Sequence, residues 1–210
     1  MSDIRNELLP KGRSLYSPRE FIRSSLIFLV VFVVVAMLNL LLHEVGHCLT
    51  MIAVGSGCEG IYAYSGIQIF PFNQFGQEYG PGWPHGALGA AVPAGSAPSQ
   101  WAEGLILLMG SGSTAILSFL ALIGLYLIRP RGGVRILLLA QSLMFIDLLT
   151  YTILPYWFGL PHFFVAGGPD PEPLDGAVQM GYTESVFIAA VLVFSLLMTL
   201  GLVRYIKQRA

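Results

Sequence analysis

Two histidines and a glutamate crowd into five residues, His43, Glu44 and His47, within LNLLLHEVGHCL (38–49). On a helix, residues four apart share a face one turn apart, so the two imidazoles point the same way. That spacing lets two ring nitrogens reach one zinc ion at about 2.0–2.1 Å. Glu44, next to the first histidine, can approach a metal-activated water without ligating the metal. It would then serve as general base for attack on a carbonyl.

HExxH on a helix is the signature of zinc peptidases. The competing reading is a structural polar patch, paired internally or with backbone. The surrounding apolar run argues against it, because ionisable groups inside a membrane helix are costly unless something compensates for them. The sequence therefore predicts one zinc ion as cofactor.

The element that carries the motif belongs to a membrane protein. The chain has 210 residues, of which 55% are hydrophobic and only 11% charged, and its mean hydropathy is +0.70. Soluble domains carry about a quarter charged residues. Four stretches reach the roughly 20 apolar residues that a span requires. They are Ile22 to Ala53, Leu105 to Ile128, Ile136 to Trp157 and Val186 to Val203. The expected fold is an all-α polytopic membrane protein of about four transmembrane helices, with a short β-element in the first outer loop. One membrane-embedded domain over 1–210 is expected, with 1–21 as a cytoplasmic tail. The first twenty residues are polar and contain Pro10 and Pro18, so no cleavable signal is expected.

The eleven basic residues fall in the N-terminal tail and the adjoining start of span one (Arg23), the loop between spans two and three, and the C-terminal tail. The stretches 54–104 and 158–185 contain no Lys or Arg. The positive-inside rule then makes both termini cytoplasmic and both long loops extracytoplasmic. A net charge of −1 points away from nucleic acid, leaving the lipid bilayer and a membrane-protein substrate as expected partners. Oligomeric state is not legible. Cys48 and Cys58 lie at or beyond the outer end of span one. They can pair in an oxidising compartment, or Cys48 can act as a small packing residue beside His47; packing is favoured.

In the first outer loop, Ile61 to Phe72 is rich in β-branched and aromatic residues, as a strand or short hairpin would be, with Gly66 as turn or bulge. Gly76 to Gln100 is dominated by small residues and reads as mobile loop, with room for a re-entrant element. In span two, Gly110, Gly112 and Ser113 read first as small residues that let helices approach closely.

HEVGH fits the form HExGH and resembles the site-two protease family of intramembrane zinc metalloproteases (peptidase M50-like). Residues 61–72 stand where that family has a short sheet near its substrate groove. Gly110 to Thr114 resembles its small-residue motif. PEPLDG (171–176) resembles its LDG motif, whose aspartate is the third zinc ligand. The chain departs from the family in lacking an asparagine-proline segment before LDG, and Ala177 replaces the second glycine. Better-known members place zinc toward the cytosol, whereas the charge count places it outward here; the count is given more weight.

Three acids compete as third ligand. His43 lies 20 residues beyond Arg23, about 30 Å along a straight helix, and Asp147 lies 12 beyond Arg135, about 18 Å along. A carboxylate from the outer loop therefore reaches more naturally. Asp175, in the LDG context, ranks first, Asp170 second and Asp147 third. Asp170 reads otherwise as a cap for a helix beginning at Pro171, and Glu172 as a first-turn acid complementing the dipole. Asp147 either orients a ligating histidine or stays protonated and hydrogen-bonds a neighbouring helix. His85 and His162, both in outer loops, are candidates for contacts to substrate or transition state. Glu103, opening span two, is a further alternative ligand.

Together these residues predict an intramembrane zinc endopeptidase acting on membrane-protein substrates in or beside the bilayer, with Glu44 as base. Residues 61–72 would hold the substrate extended by strand addition. The rival is a non-proteolytic zinc-binding or regulatory membrane protein, or a transporter-like protein using a buried acid.

Overall fold

The computed structural model describes residues 18–63, 66–79, 88–161 and 170–209. Long apolar runs form long helices. Four of them are long and apolar enough to cross a membrane: Arg19–Ala53, Gln100–Ile128, Gly132–Phe158 and Glu184–Gln208. The elements are α1 (Pro18–Ala53), β1 (Cys58–Ala63), β2 (Ile67–Phe70), β3 (Gly89–Pro93), α2 (Gln100–Ile128), α3 (Gly132–Ser142), α4 (Ile146–Ile153), α5 (Glu172–Gln179) and α6 (Glu184–Arg209).

α1 turns most of its surface outward, with Val30, Val34 and Leu38 among its exposed residues. Its inward stripe is Val35, Asn39, His43, His47 and Thr50, all buried. These recur at helical spacing, so one face of the helix carries nearly every polar side chain that lipid would penalise. Asn39 and Gln141 exchange reciprocal amide hydrogen bonds of 2.8 and 3.0 Å, tying α1 to α3. Beneath them Val35 packs with Ala140 and Met144.

α1 and α2 cross closely at Gly46. A methyl group there would collide with the Met109 carbonyl and with the Ser113 side chain, whose hydroxyl donates to the Leu42 carbonyl at 3.0 Å. This is the physical reason for the glycine in HEVGH. Ser113 thus acts as a close-approach residue, whereas Gly112 meets only Met109 of its own helix. The opposite end of the bundle closes on Leu122, Leu125, Phe145, Met198, Leu202 and Tyr205.

Span three is not one regular helix. α3 gives way to a 3-10 turn at Leu143–Phe145, then α4, then a π-helical turn at Leu154–Phe158. A 3-10 turn advances about 120° per residue instead of about 100°. It therefore resets which face of α4 meets the bundle, and Asp147, Leu148, Tyr151 and Thr152 are buried there.

The outer loop carries a three-stranded antiparallel sheet in the order β2-β1-β3. β1 and β2 form the expected hairpin, with Gly66 at φ +94° beside the turn. β3 lies in a stretch that the sequence pattern reads as mobile loop; its register with β1 runs from Cys58↔Pro93 to Ala63↔Gly89. GAAVP has little intrinsic strand character, and pairing with β1 is what makes it a strand. Cys48 and Cys58 form a disulfide, which corrects the packing preference. It fastens the first residue of β1 to α1, next to His47. The pairing follows from β1 starting at Cys58, three residues earlier than the sequence pattern suggests.

A candidate metal centre

His43, Glu44 and His47 are 7%, 6% and 7% exposed, so the motif faces inward. Each histidine is held by its Nδ1. His43 Nδ1 lies 3.1 Å from Asp147 Oδ2, and His47 Nδ1 lies 2.6 Å from the Ile106 carbonyl oxygen of α2. With Nδ1 of each ring donating, both Nε2 lone pairs are left for the site. They converge over Gly110: a methyl group on that residue would meet His47 Nε2 and His43 Nε2 at once. The missing side chain leaves room that a small ion would fill. Gly110 therefore does more than allow close helix packing.

The third donor comes from α5. Glu172 Oε2 stands 3.6 Å from His47 Nε2. Donor atoms of His43, His47 and Glu172 all lie within 4.8 Å of one another. Two imidazoles plus one carboxylate, mostly shielded from water, is a donor set that suits zinc. Burial by itself would raise the Glu172 carboxyl. A hydrogen bond from His47, the positive charge that His47 and His43 carry when protonated, and a hydrogen bond from the Tyr151 hydroxyl outweigh it and hold the group below the usual glutamate range.

Why Glu172 and not its neighbours follows from how α5 sits. Gly176 and Gly104 face each other so closely that a methyl group on either would strike the other's carbonyl oxygen. This contact seats α5 on α2. Glu172, one turn before Gly176, shares the face toward α2, whereas Asp175 is rotated about 100° from Gly176 and is exposed. Partial burial and the nearby Asp170, Glu172 and Glu184 raise the Asp175 carboxyl above its ordinary value. Asp170 is exposed and outside the cluster. The cap position it was expected to fill falls on Pro171, without a side-chain bond.

Asp147 touches the site without joining the donor cluster. It bonds His43 and accepts from the Thr114 hydroxyl of α2 at 2.8 Å, so it meets both a motif histidine and a neighbouring helix. Counting residues from the basic ends of the spans puts it too far from His43. Val35 packs on Ala140 and Met144, so Arg23 and Arg135 do not mark the same depth and cannot serve as equal starting points. Glu103 is an exposed first-turn residue of α2, where Ser99 supplies the cap by accepting from the Ala102 amide at 3.1 Å. His85 and His162 lie outside the described residues.

Glu44 packs under β3. A methyl group on Gly89 would lie 2.5 Å from Glu44 Oε1, so the strand backbone runs directly past this carboxyl. β1 is paired on both sides. The outer edge of β2 is covered by residues 76–79, through Gln68 N–H to Gln77 O at 2.8 Å and Tyr79 N–H to Gly66 O at 2.7 Å. Among the described residues, β3 keeps its second edge unpaired.

The bundle of apolar helices and the buried two-histidine, one-carboxylate cluster define a polytopic membrane protein with a candidate metal centre. The model of Peptidase family M50 matches residues 29–206, and the chain belongs to that family. It is accordingly an integral membrane protein of a metalloprotease family. No curated protein and no solved structure matches the chain.

Proposed function

We propose that the chain is an intramembrane zinc endopeptidase that cleaves membrane-protein substrates in or beside the bilayer. The observation that carries the reading is the convergence of both histidine Nε2 atoms, with Glu172, on the space above Gly110, beside the buried Glu44. His43, His47 and Glu172 would hold the ion. When bound, zinc supplies Lewis acidity, polarising the scissile carbonyl and acidifying water. Glu44 accepts the proton from the attacking water on its carboxylate and delivers it to the leaving amine nitrogen. Burial among α1, α2 and β3 limits access of bulk water to that carboxyl.

A transmembrane helix hides its carbonyls in internal hydrogen bonds, so the substrate must be extended before attack. The edge of β3 that is unpaired among the described residues is better placed for this than residues 61–72, because β1 is paired on both sides and the edge of β2 is covered. Extracytoplasmic placement of the site is supported by the eleven-to-none distribution of basic residues and by the disulfide one residue from His47, since disulfides persist in oxidising compartments.

The test uses purified full-length protein in liposomes with a panel of single-span peptides. Wild type is expected to contain one zinc and cleave, His43→Ala to lose zinc and cleavage, and Glu44→Gln to keep zinc while losing cleavage. A Glu44→Gln protein that cleaves normally, or a wild type that neither contains zinc nor takes it up, would overturn the proposal.

A further inference from the structure

We propose that span three is the orienting wall of this centre, with Asp147 and Tyr151 as positioning residues that aim two of its three donors. The inference rests on the reading of His43, His47 and Glu172 as the ligand set. Asp147 and Tyr151 are four apart on α4, so they project from one face, one turn apart. Asp147 Oδ2 receives His43 Nδ1 at 3.1 Å. That bond keeps the ring proton on Nδ1 and leaves Nε2 as the metal-facing lone pair. The Thr114 hydroxyl of α2 donates to the same oxygen at 2.8 Å, which anchors the carboxylate from a second helix.

One turn further on, the Tyr151 ring stacks on His43, centroids 5.7 Å apart and planes inclined by 27°. Its hydroxyl hydrogen-bonds Glu172 on α5. The side chain is 4% exposed, so neither contact is lost to water. A single helical turn thus bears on His43 through both ring face and Nδ1, and on Glu172 through its carboxylate. His47 needs no such help, since the Ile106 carbonyl fixes it from α2. The 3-10 turn at Leu143–Phe145 sets the rotation of α4 that brings both residues to the site.

The experiment compares full-length wild type, Asp147→Asn, Tyr151→Phe, Thr114→Val and His43→Ala in detergent. Each is titrated with zinc against a competing chelator and loaded with cobalt(II) to record the ligand-field spectrum. Asp147→Asn is expected to bind zinc about 10–100-fold more weakly, with a shifted cobalt spectrum. Tyr151→Phe, which keeps the stacked ring, should lose affinity by less and shift the spectrum as well. Thr114→Val reads the same anchor if Asp147→Asn fails to fold. Wild-type zinc affinity and an unchanged cobalt spectrum in the folded variants overturn the proposal, as does lower thermal stability with an unchanged spectrum. If His43→Ala binds zinc as wild type does, the ligand set itself is wrong, a result distinguishable from failure of the positioning role alone.

Discussion

At the scale of single residues, the centre divides into groups whose roles follow from type and spacing and one whose role does not. The roles proposed for His43, Glu44 and His47 can be read from sequence because little besides a metal ion offsets the cost of three ionisable groups within five residues of an apolar helix, the two histidines four apart. Glu172 reads from sequence as a helix-dipole acid, and the motif-like Asp175 is preferred, because the three-residue difference between them is resolved only by rotation about α5. The signal is present in Gly176: a glycine that must face another helix turns the residue one turn earlier toward that helix too. Glu172→Ala is therefore expected to weaken zinc binding by more than the roughly 100-fold typical of losing a hydrogen-bonding partner behind a ligand. Asp175→Ala and Asp170→Ala should leave it unchanged. Zinc content after dialysis against a chelator reads the difference directly, and zinc loss in Asp175→Ala with retention in Glu172→Ala would restore the sequence-based ranking.

Elements carry what residues cannot specify alone. The four spans are legible within a few residues, since run length and apolarity determine them. The break in span three, the strand at Gly89–Pro93 and the seat of α5 are not, because each depends on a partner distant in sequence. The Gly104–Gly176 contact is the clearest case: neither glycine announces its partner, yet their approach sets the position of Glu172. Gly176→Leu should lift α5 from α2, since its side chain would enter space held by the Gly104 carbonyl and the Leu108 amide. The expected outcome is loss of zinc affinity with α1–α2 packing kept, the latter monitored by cross-linking cysteines introduced on those two helices. Retention of wild-type affinity would show that α5 is not what carries the third donor.

For the whole molecule, the bundle, the sheet and the disulfide must agree on one orientation. The sheet lies at the end of α1 that holds His47, joined there by Cys48–Cys58, while Arg19, Arg23, Arg129, Arg131, Arg135, Arg204 and Lys207 occupy the ends of the spans away from it. Positive charge is retained on the cytoplasmic side during insertion, and a disulfide survives where thiols are not kept reduced. These are independent arguments, one electrostatic and one redox, and both favour the extracytoplasmic placement of the metal centre proposed above. Both native cysteines are bonded and so silent toward maleimide, which makes the orientation measurable with one added thiol at a time. Gln77 and Lys207, both exposed, are suitable sites. A membrane-impermeant maleimide applied to intact cells or right-side-out vesicles should label Gln77→Cys and spare Lys207→Cys until the membrane is permeabilised. The reverse pattern would place the disulfide in a reducing compartment and the basic termini outside. It would contradict both constraints at once, and the substrate would then have to be sought among segments accessible from the cytosol.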